Sequence, residues 1–587
     1  MRRVLVALLA VITLTMNSLG VCSHAAIEEC DFSNPKDGDV DGRDLSEFAA
    51  FFAASNPNSD VNKDGSVNSA DVAHLCRFFG SSSTISARRP NILLIIADDV
   101  GIDVTTNLYP NLIEDLLALY GPSGHNHPDY ADIDGRPASL PVLTDRLAQQ
   151  GMVFSNTWAQ PLCSPTRATL ITGLFEDKTR VLQPGTPMSS NHITFVQLLK
   201  EANYSTALFG KWHLGIGGTS PNSGVLPKQV GFDLYKGNNG GGLTPSFWNY
   251  IYHVQDDATT DPTTYRSYTT AQQVDKSLTG IGPTKFATVV QAADTIEWIN
   301  ARQTENPGKP WFVYLSFNEA HTPMHIPNAD TIGCHPTNPD LDSPVCQEVK
   351  DCNGVPGTSG TTCSDKVRMR AMSNAMDTVI GKVLDGVEAL SSDTYVIFIG
   401  DNGTDVINFA NCLDNMYITT SGRGKGTVYE SGARVPMAIR GPGISPGSES
   451  SEFVHVADLF ATILTLAGLT PPAENLNNAG TLVNSDSKSL TPILFGSACT
   501  VRDPNEDYIL TETSYGGNKV GARNATYKVV CNADTSNCEF YDLMDDPLEE
   551  YQLSKPDSCT NFRAWPMSSP EWHYCRLIEV VNMYSIF

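Results

Sequence analysis

The run ILLIIA, opened by Pro90 and Asn91 and closed by Asp98, Asp99 and Gly101, has no polar face. A strand half in water would alternate apolar with polar residues, so this run reads as a strand buried in a core. Three further segments, STALFG, PWFVYLSFN and TYVIFIGDNG, read the same way, and MVFSNTWA is strand-like. Amphipathic stretches such as VLTDRLAQQG and ITFVQLLKEANY lie between them. Buried strands alternating with helices imply an α/β domain with a largely parallel sheet and helices on both faces. From about Asp503 the pattern changes to DYILTET, TYKVVCN and CEFYDL, which predicts a small antiparallel sheet beside the main domain.

With 587 residues the chain exceeds what a single core sustains, roughly 250–300 residues, so one large domain with appendages is expected. Its 39 basic against 65 acidic residues give a net charge of −26. That excludes nucleic acid and an anionic membrane as partners, because both need clustered Lys and Arg. An anionic substrate would have to be drawn in by a local basic site.

The N-terminus, MRRVLVALLAVITLTMNSLGVCSHAA, has two arginines, an apolar run and small residues near Ser23 and Ala25. It predicts a signal peptide over residues 1–25, too short for a spanning helix, and hence a secreted or periplasmic protein without a transmembrane segment. A lipoprotein signal at Cys22 is the rival reading, weakened by Val21 in place of a small residue. Export permits disulfides. Cleavage after Ala25 leaves 13 of the 14 cysteines, and setting Cys163 aside leaves twelve, enough for six pairs.

Residues 26–80 are acidic and contain DVNKDGSVNSAD. Asp60, Asn62, Asp64, Ser66, Asn68 and Asp71 take the ligand positions of an EF-hand-like calcium loop, with Gly65 at the sharp turn. A second copy lies 27 residues upstream, Asp37 matching Asp64 and Asp44 matching Asp71, but Ser33 and Pro35 at its first positions leave it degenerate. The plainer alternative is a pair of acidic turns that cap helices. The paired loop-helix units resemble a dockerin-type module, which implies a calcium-binding unit with a docking partner and association with a surface. Residues 81–89 read as a Ser-rich linker, 90–502 as the catalytic domain and 503–587 as a C-terminal subdomain.

Ligands of open α/β sheets bind beyond the carboxyl ends of the strands. Two strand ends carry polar clusters there: Asp98 with Asp99, and Asp401 with Asn402. Singly, each is an ordinary strand-end turn. Together, three carboxylates and an amide would repel one another unless a hard cation joined them. GKWHLG places Lys211 and His213 two apart, hence on one side of an extended chain. His321 follows another strong strand, and Lys425 sits in GRGKGTVYESGARVP, where glycines let backbone approach a ligand. Cys163, in QPLCSPTRATLITG, stands between two prolines and Arg167, far from every other cysteine.

CSPTR is similar to the Cys-X-Pro-X-Arg signature of the type I sulfatases, and ADDVG, GKWHLG, FNEAHTPMHIP, DNG, GKGTVYESGARVP and FYDLMDDPLEE follow in family order from about Pro90 to Leu553. The resemblance implies an alkaline-phosphatase-like fold and hydrolysis of aryl or carbohydrate sulfate esters. It implies that a formylglycine-generating enzyme oxidises Cys163 to formylglycine, whose hydrate attacks sulfur, and that elimination then restores the aldehyde. By the same resemblance Asp98, Asp99, Cys163, Asp401 and Asn402 hold a calcium ion. Arg167 stabilises the hydrate, Lys211 and Lys425 clamp the sulfate, His213 is the base and His321 the acid. The family's further small polar sulfate contact is not evident in GFDLYKGNNGGG, where Asn238 and Asn239 are candidates. The lengthened segment between Asp103 and Pro141, and the cysteine-rich insertion starting at Cys334, are expected near the cleft mouth. Two other readings stand beside this one. The first is a phosphonate monoester or phosphodiester hydrolase of the same superfamily, and the second a non-catalytic calcium-dependent scaffold, which has no need of Lys211, His213, His321 and Lys425.

Overall fold

The computed structural model describes residues 89–109, 138–216, 223–391, 393–405, 423–514 and 517–584, with Leu112, Asp115, Leu116 and Leu119 in between. The expected signal peptide, the calcium loops and the linker up to residue 88, together with Cys22, Cys30, Cys76 and Cys412, lie outside the described residues.

The buried runs become the middle of a ten-stranded sheet. In chain order its strands are β1 (Asn91–Ala97), β2 (Met152–Phe154), β3 (Ser205–Lys211), β4 (Leu234–Asn238) and β5 (Tyr252–Gln255). They continue as β6 (Arg266–Tyr268), β7 (Trp311–Ser316), β8 (Thr394–Gly400), β9 (Met437–Arg440) and β10 (Ser448–Ser450). Their order across the sheet is β10-β2-β9-β8-β1-β7-β3-β4-β5-β6. From β8 to β4 all neighbours are parallel, while β9, β5 and β6 pair antiparallel with their neighbours on the flanks. The sheet is therefore mixed and mostly parallel.

Successive side chains of a strand point to opposite faces, so a run apolar throughout needs cover on both. Leu93, Ile95, Val313 and Leu315 pack on one face into the core shared with helices α3 (Ala287–Glu305) and α4 (Asp365–Glu388). On the other face Phe312 meets Phe195 of α2 (Phe195–Glu201) edge-on at 5.3 Å, and Phe195 in turn meets Phe460 of α5 (Asp458–Leu466). Each such fully buried side chain contributes about 1.5–3 kcal/mol.

The C-terminal sheet has β11 (Ile509–Thr513), β12 (Lys519–Arg523), β13 (Tyr527–Asn532) and β14 (Cys538–Asp542), joined consecutively and antiparallel. Leu510, Val520, Val529 and Phe540 on one face pack with Leu577, Val580 and Val581 of helix α6 (Pro570–Tyr584). The sequence pattern indicated three strands here. β12, KVGAR, is short and half polar, and becomes a strand because it is paired on both edges.

Residues 443–445 and 489–501 belong to a second, small compact unit. Disulfides join Cys334–Cys346, Cys352–Cys363, Cys531–Cys538 and Cys559–Cys575, while Cys163 and Cys499 are in no disulfide among the described residues. The cysteine-rich insertion holds two of the bridges and packs Val345, Val349 and Cys363 against Ala371 and Ala375 of α4. Among the described residues no helix is long and apolar enough to cross a membrane.

Candidate active site

Register puts the polar strand ends on one edge. Ala97 is level with Gly400, Ile96 with Ser316, Ser316 with Gly210, and Lys211 with Asn238. The chains beyond stay tied: Asp98 N–H donates to Glu319 O at 2.9 Å, and Asp401 N–H to Ala97 O at 3.0 Å. Asp98, Asp99, Asp401 and Asn402 are all buried. Asp99 and His213 take left-handed backbone, at φ 60° and 62°. That conformation strains a non-glycine residue and is held only where the surroundings dictate it, as at functional sites.

Cys163 is the first residue of helix α1 (Cys163–Thr172), the earliest of the labelled helices in the chain. Leu162 enters extended, Pro165 sits in the first turn where no helical N–H is lost, and Gly173 at φ 69° ends the helix. Every residue of α1 is buried. Its N-terminus therefore presents unpaired N–H groups and the positive end of the helix dipole to the site. Arg167, one turn on, lies on the same side as Cys163. The Cys163 Sγ is 3.2 Å from His213 Nδ1. Burial pushes the thiol's pKa up, which leaves an unmodified Cys163 a poor nucleophile.

Cations and carboxylates alternate around it. Lys211 Nζ donates to both oxygens of Asp98, at 2.9 and 2.7 Å. Arg167 donates from Nη2 to Asp401 Oδ2 at 2.7 Å, and from Nη1 to Ser316 Oγ and to Lys211 O. Lys425 pairs with Asp99 Oδ1, which also accepts from Asn402 Nδ2 at 2.9 Å. Burial pushes the Asp98 carboxyl well above the usual range, with Lys211 pulling the other way. Burial also opposes the charge on Asp99, but Lys425, His321 and Lys211 outweigh it and hold the group well below that range. Burial works against charged Lys425 as well, yet Asp99 and its neighbours raise its pKa.

Two buried oxygens on this edge, Asp99 Oδ2 and Asn402 Oδ1, have no hydrogen-bond donor. Orphaned acceptors beside carboxylates are the donor set of a hard cation. Among the described residues, Asp98, Asp99 and His321 also bring one ligand atom each within 4.8 Å of one another. The residues fit a divalent metal ion.

Both histidines face this cluster. His321 Nε2 is 3.9 Å from Asp99 Oδ2, and its Nδ1 shares a 2.9 Å hydrogen bond with Thr322 O. Burial pushes the pKa of His321 down to about 4, and burial with Lys211 and Arg167 drives that of His213 well below its usual value. Both rings are neutral near pH 7. The GNNGGG segment lies against them: a Cβ on Gly241 would stand 3.1 Å from His213 Cε1, and one on Gly242 would stand 3.2 Å from His321 Nδ1.

A profile of the sulfatase family matches residues 90–469. The chain belongs to the sulfatase family. Relatives of this sulfatase-family chain include mouse N-acetylgalactosamine-6-sulfatase, 26% identical over 66% of this chain and 64% of the mouse protein. The match thus spans just under two thirds of that relative's length. Rat arylsulfatase G is 26% identical over 71% of each chain. Among solved structures, Ps i-CgsB in complex with k-i-k-neocarrahexaose superposes with a TM-score of 0.54 at 21% identity, covering 80% of this chain and 89% of that one. BT4656, in complex with its substrate D-glucosamine-2-N,6-O-disulfate, gives 0.54 at 18% identity, covering 84% and 97%. The fold is the alkaline-phosphatase-like sulfatase fold.

The fold of this family member brings together Cys163, Arg167, Lys211, His213, His321, Lys425, Asp98, Asp99, Asp401 and Asn402. Asn238 and Asn239 are buried nearby. Asn239 Oδ1 accepts from Tyr235 Oη at 2.8 Å, and Asn239 Nδ2 has no acceptor. Sequence reading missed Ser316, which orients Arg167, and Ser164, whose Oγ donates to His213 O at 2.8 Å. It also missed Gly241 and Gly242 as neighbours of the histidines. A serine ending a buried strand was the available signal for Ser316; nothing local marks the others.

Proposed function

We propose that this chain is a sulfuric ester hydrolase that cleaves aryl or carbohydrate sulfates with an aldehyde made from Cys163 and a bound calcium ion. One observation carries the reading. Cys163, a free buried thiol at a helix start, stands among Arg167, Lys211 and Lys425, on the edge where Asp99 Oδ2 and Asn402 Oδ1 lack partners.

Asp98, Asp99, Asp401 and Asn402 would hold the ion, which supplies charge neutralisation for the sulfate oxygens and lowers the pKa of a hydroxyl beside it. Formylglycine supplies, as its hydrate, an oxygen nucleophile that can later be released by deprotonating its second hydroxyl. The chain's own residues do the rest. Arg167, Lys211 and Lys425 offset Asp98, Asp99 and Asp401, so a divalent cation leaves the pocket positive and fit for an anion. Lys211 and Lys425 place ammonium groups where charge develops on the sulfate. His213, neutral and adjacent to residue 163, accepts a proton from the hydrate. His321, its Nδ1–H donating to Thr322 O, takes a second proton on Nε2 once the sulfate's negative charge is bound beside it, and as the imidazolium hands that proton to the leaving oxygen.

The named relatives act on carbohydrate and aryl sulfates, which supports that substrate class. The apolar N-terminal run and the disulfides support a secreted or periplasmic setting, with residues 1–25 as the signal. Residues 26–80 are proposed as a calcium module that docks on another protein or a surface structure, with 81–89 as tether. Residues 90–502 form the catalytic domain and 503–587 its C-terminal subdomain.

The test compares matched aryl sulfate, phosphate, phosphonate and phosphodiester substrates, with the intact mass of the peptide spanning Cys163. Faster sulfate hydrolysis and a mass matching the aldehyde are expected. A thiol mass in fully active protein, or a dominant phosphonate or phosphodiester activity, would overturn the reading.

A further inference from the structure

Lys425 is flanked by Gly424 and Gly426, and Gly426 takes φ 85°. Glycine leaves a backbone free to move, so the position of Lys425 has to be imposed from outside the Gly-Lys-Gly triplet. On the catalytic side Lys425 N–H donates to Thr404 O at 2.9 Å, and Gly426 N–H to Pro161 O at 2.7 Å, two residues before Cys163.

Both flanks of the triplet are held by the C-terminal subdomain. Before it, Arg423 stacks on Tyr429 at 4.3 Å and donates from Nη1 to Glu549 O at 2.6 Å. After it, Val428 packs with Val530 and Tyr541, and Tyr429 Oη donates to Glu539 at 2.9 Å. Glu430 then opens a short helix, Glu430–Ala433, and its N–H donates to Glu549 Oε2 at 2.7 Å.

A buried charge cluster locks this arrangement. Lys528 of β13 has no exposed side-chain surface, and its Nζ lies 3.1 Å from Glu430 Oε1 and 2.6 Å from Glu549 Oε1. The same ammonium sits 4.4 Å from the Trp158 ring centre, and Trp158 Nε1 donates to Glu430 Oε1 at 3.0 Å. Arg523 adds a second cation, 3.6 Å from Glu430 Oε2. None of these groups reaches the reacting atoms, yet their order fixes both flanks of a loop whose own bonds are few: Thr427 N–H and Oγ1 donate to Gly424 O, and Ser431 Oγ to Arg423 O.

We propose that Glu549 and Lys528, on the C-terminal subdomain, are positioning residues for Lys425. This rests on the sulfate-clamping role given to Lys425 above. The C-terminal sheet is then a working part of the catalytic centre and not a separable appendage.

The experiment is a double-mutant cycle in the full-length chain, pairing Glu549→Ala with Lys425→Met, read as kcat and KM on an aryl sulfate and as competitive inhibition by inorganic sulfate. Residues acting through one group are strongly non-additive. Glu549→Ala is expected to lower kcat/KM by roughly 10- to 100-fold and weaken sulfate inhibition, and to cost much less once Lys425→Met is present. Glu549→Gln keeps the acceptor for Glu430 N–H and should recover most of the loss. If Glu549→Ala does not fold, Arg423→Gln replaces it in the cycle. Effects that simply multiply, or a loss of activity that follows only the thermal midpoint, would overturn the proposal. An unimpaired Lys425→Met would instead overturn the role given to Lys425, so the two failures are distinguishable.

Discussion

Replacing Gly242 by alanine tests the role of His321 without touching it. A Cβ at residue 242 would stand 2.8 Å from Thr322 O and 3.2 Å from both His321 Cε1 and Nδ1. Thr322 O and His321 Nδ1 are the two ends of the 2.9 Å hydrogen bond that orients the ring. A comfortable carbon contact needs about 3.5 Å, so Thr322 O, the acceptor that orients the ring, has to yield by about 0.7 Å and the ring itself by about 0.3 Å. Catalytic geometry tolerates roughly 0.5 Å, and a 1 Å misplacement costs about 100-fold. The expected loss in kcat is therefore about 10- to 100-fold on sulfates with poor leaving groups, which need a proton from Nε2. On nitrophenyl sulfate, whose phenolate leaves unaided, the loss should be about 3-fold or less. Gly240→Ala is the control, since its Cβ meets nothing closer than Gly242 O at 4.0 Å, and neither position has a left-handed backbone. The assay is kcat over a series of aryl and alkyl sulfates graded by leaving-group pKa. A Gly242→Ala enzyme with the same leaving-group dependence as wild type, or a Gly240→Ala enzyme equally impaired, would refute the reasoning.

Cys163→Ala should abolish turnover with an unchanged thermal midpoint, and Cys163→Ser should accumulate a sulfated serine visible by intact mass. Asp401→Ala, or chelation of wild-type enzyme, should remove activity on a small aryl sulfate, whereas Asp64→Ala should leave that activity within about 2-fold; equal losses would sink the two-site picture. Lys528→Met should destabilise the fold by about 3–5 kcal/mol at neutral pH in chemical denaturation, because it leaves two buried carboxylates short of a partner. Burial already holds Glu549 above the usual carboxyl range, while Lys528 and Arg523 outweigh burial to hold Glu430 below it. Without Lys528 both would take protons in the folded state above the unfolded pKa of about 4.3. The penalty should therefore grow as pH rises from 5 to 8 and shrink below; a pH-independent penalty would contradict this. Deleting residues 26–86 should leave small-ester turnover nearly unchanged and lower activity only on a polymeric sulfate, and a large loss on the small ester would remove the tether reading.

The sulfatase core was legible where chemistry and local pattern coincide. A run of six or seven residues, apolar throughout and bounded by turn residues, reads as a buried strand, so Asp98, Asp99, Asp401 and Asn402 could be placed at strand ends from sequence alone. Cys163 stood out because nothing near it could pair with it. β12 was missed because KVGAR has no apolar periodicity, and its strand character comes from neighbours on both edges.

What the sequence determined by itself is the set of buried strands, the donor types at their ends and the isolation of Cys163, because each depends on residues adjacent in the chain. Only the tertiary structure decided that Lys211 meets Asp98, which needs β3 and β1 on either side of β7 in register. It alone placed Gly241 and Gly242 against the two imidazoles and joined Lys528 to a glutamate 98 residues away. A lysine or a glycine carries no local mark of its distant neighbour. Such contacts follow from how whole elements pack once their apolar faces are buried, and that packing is a property of the assembled sheet.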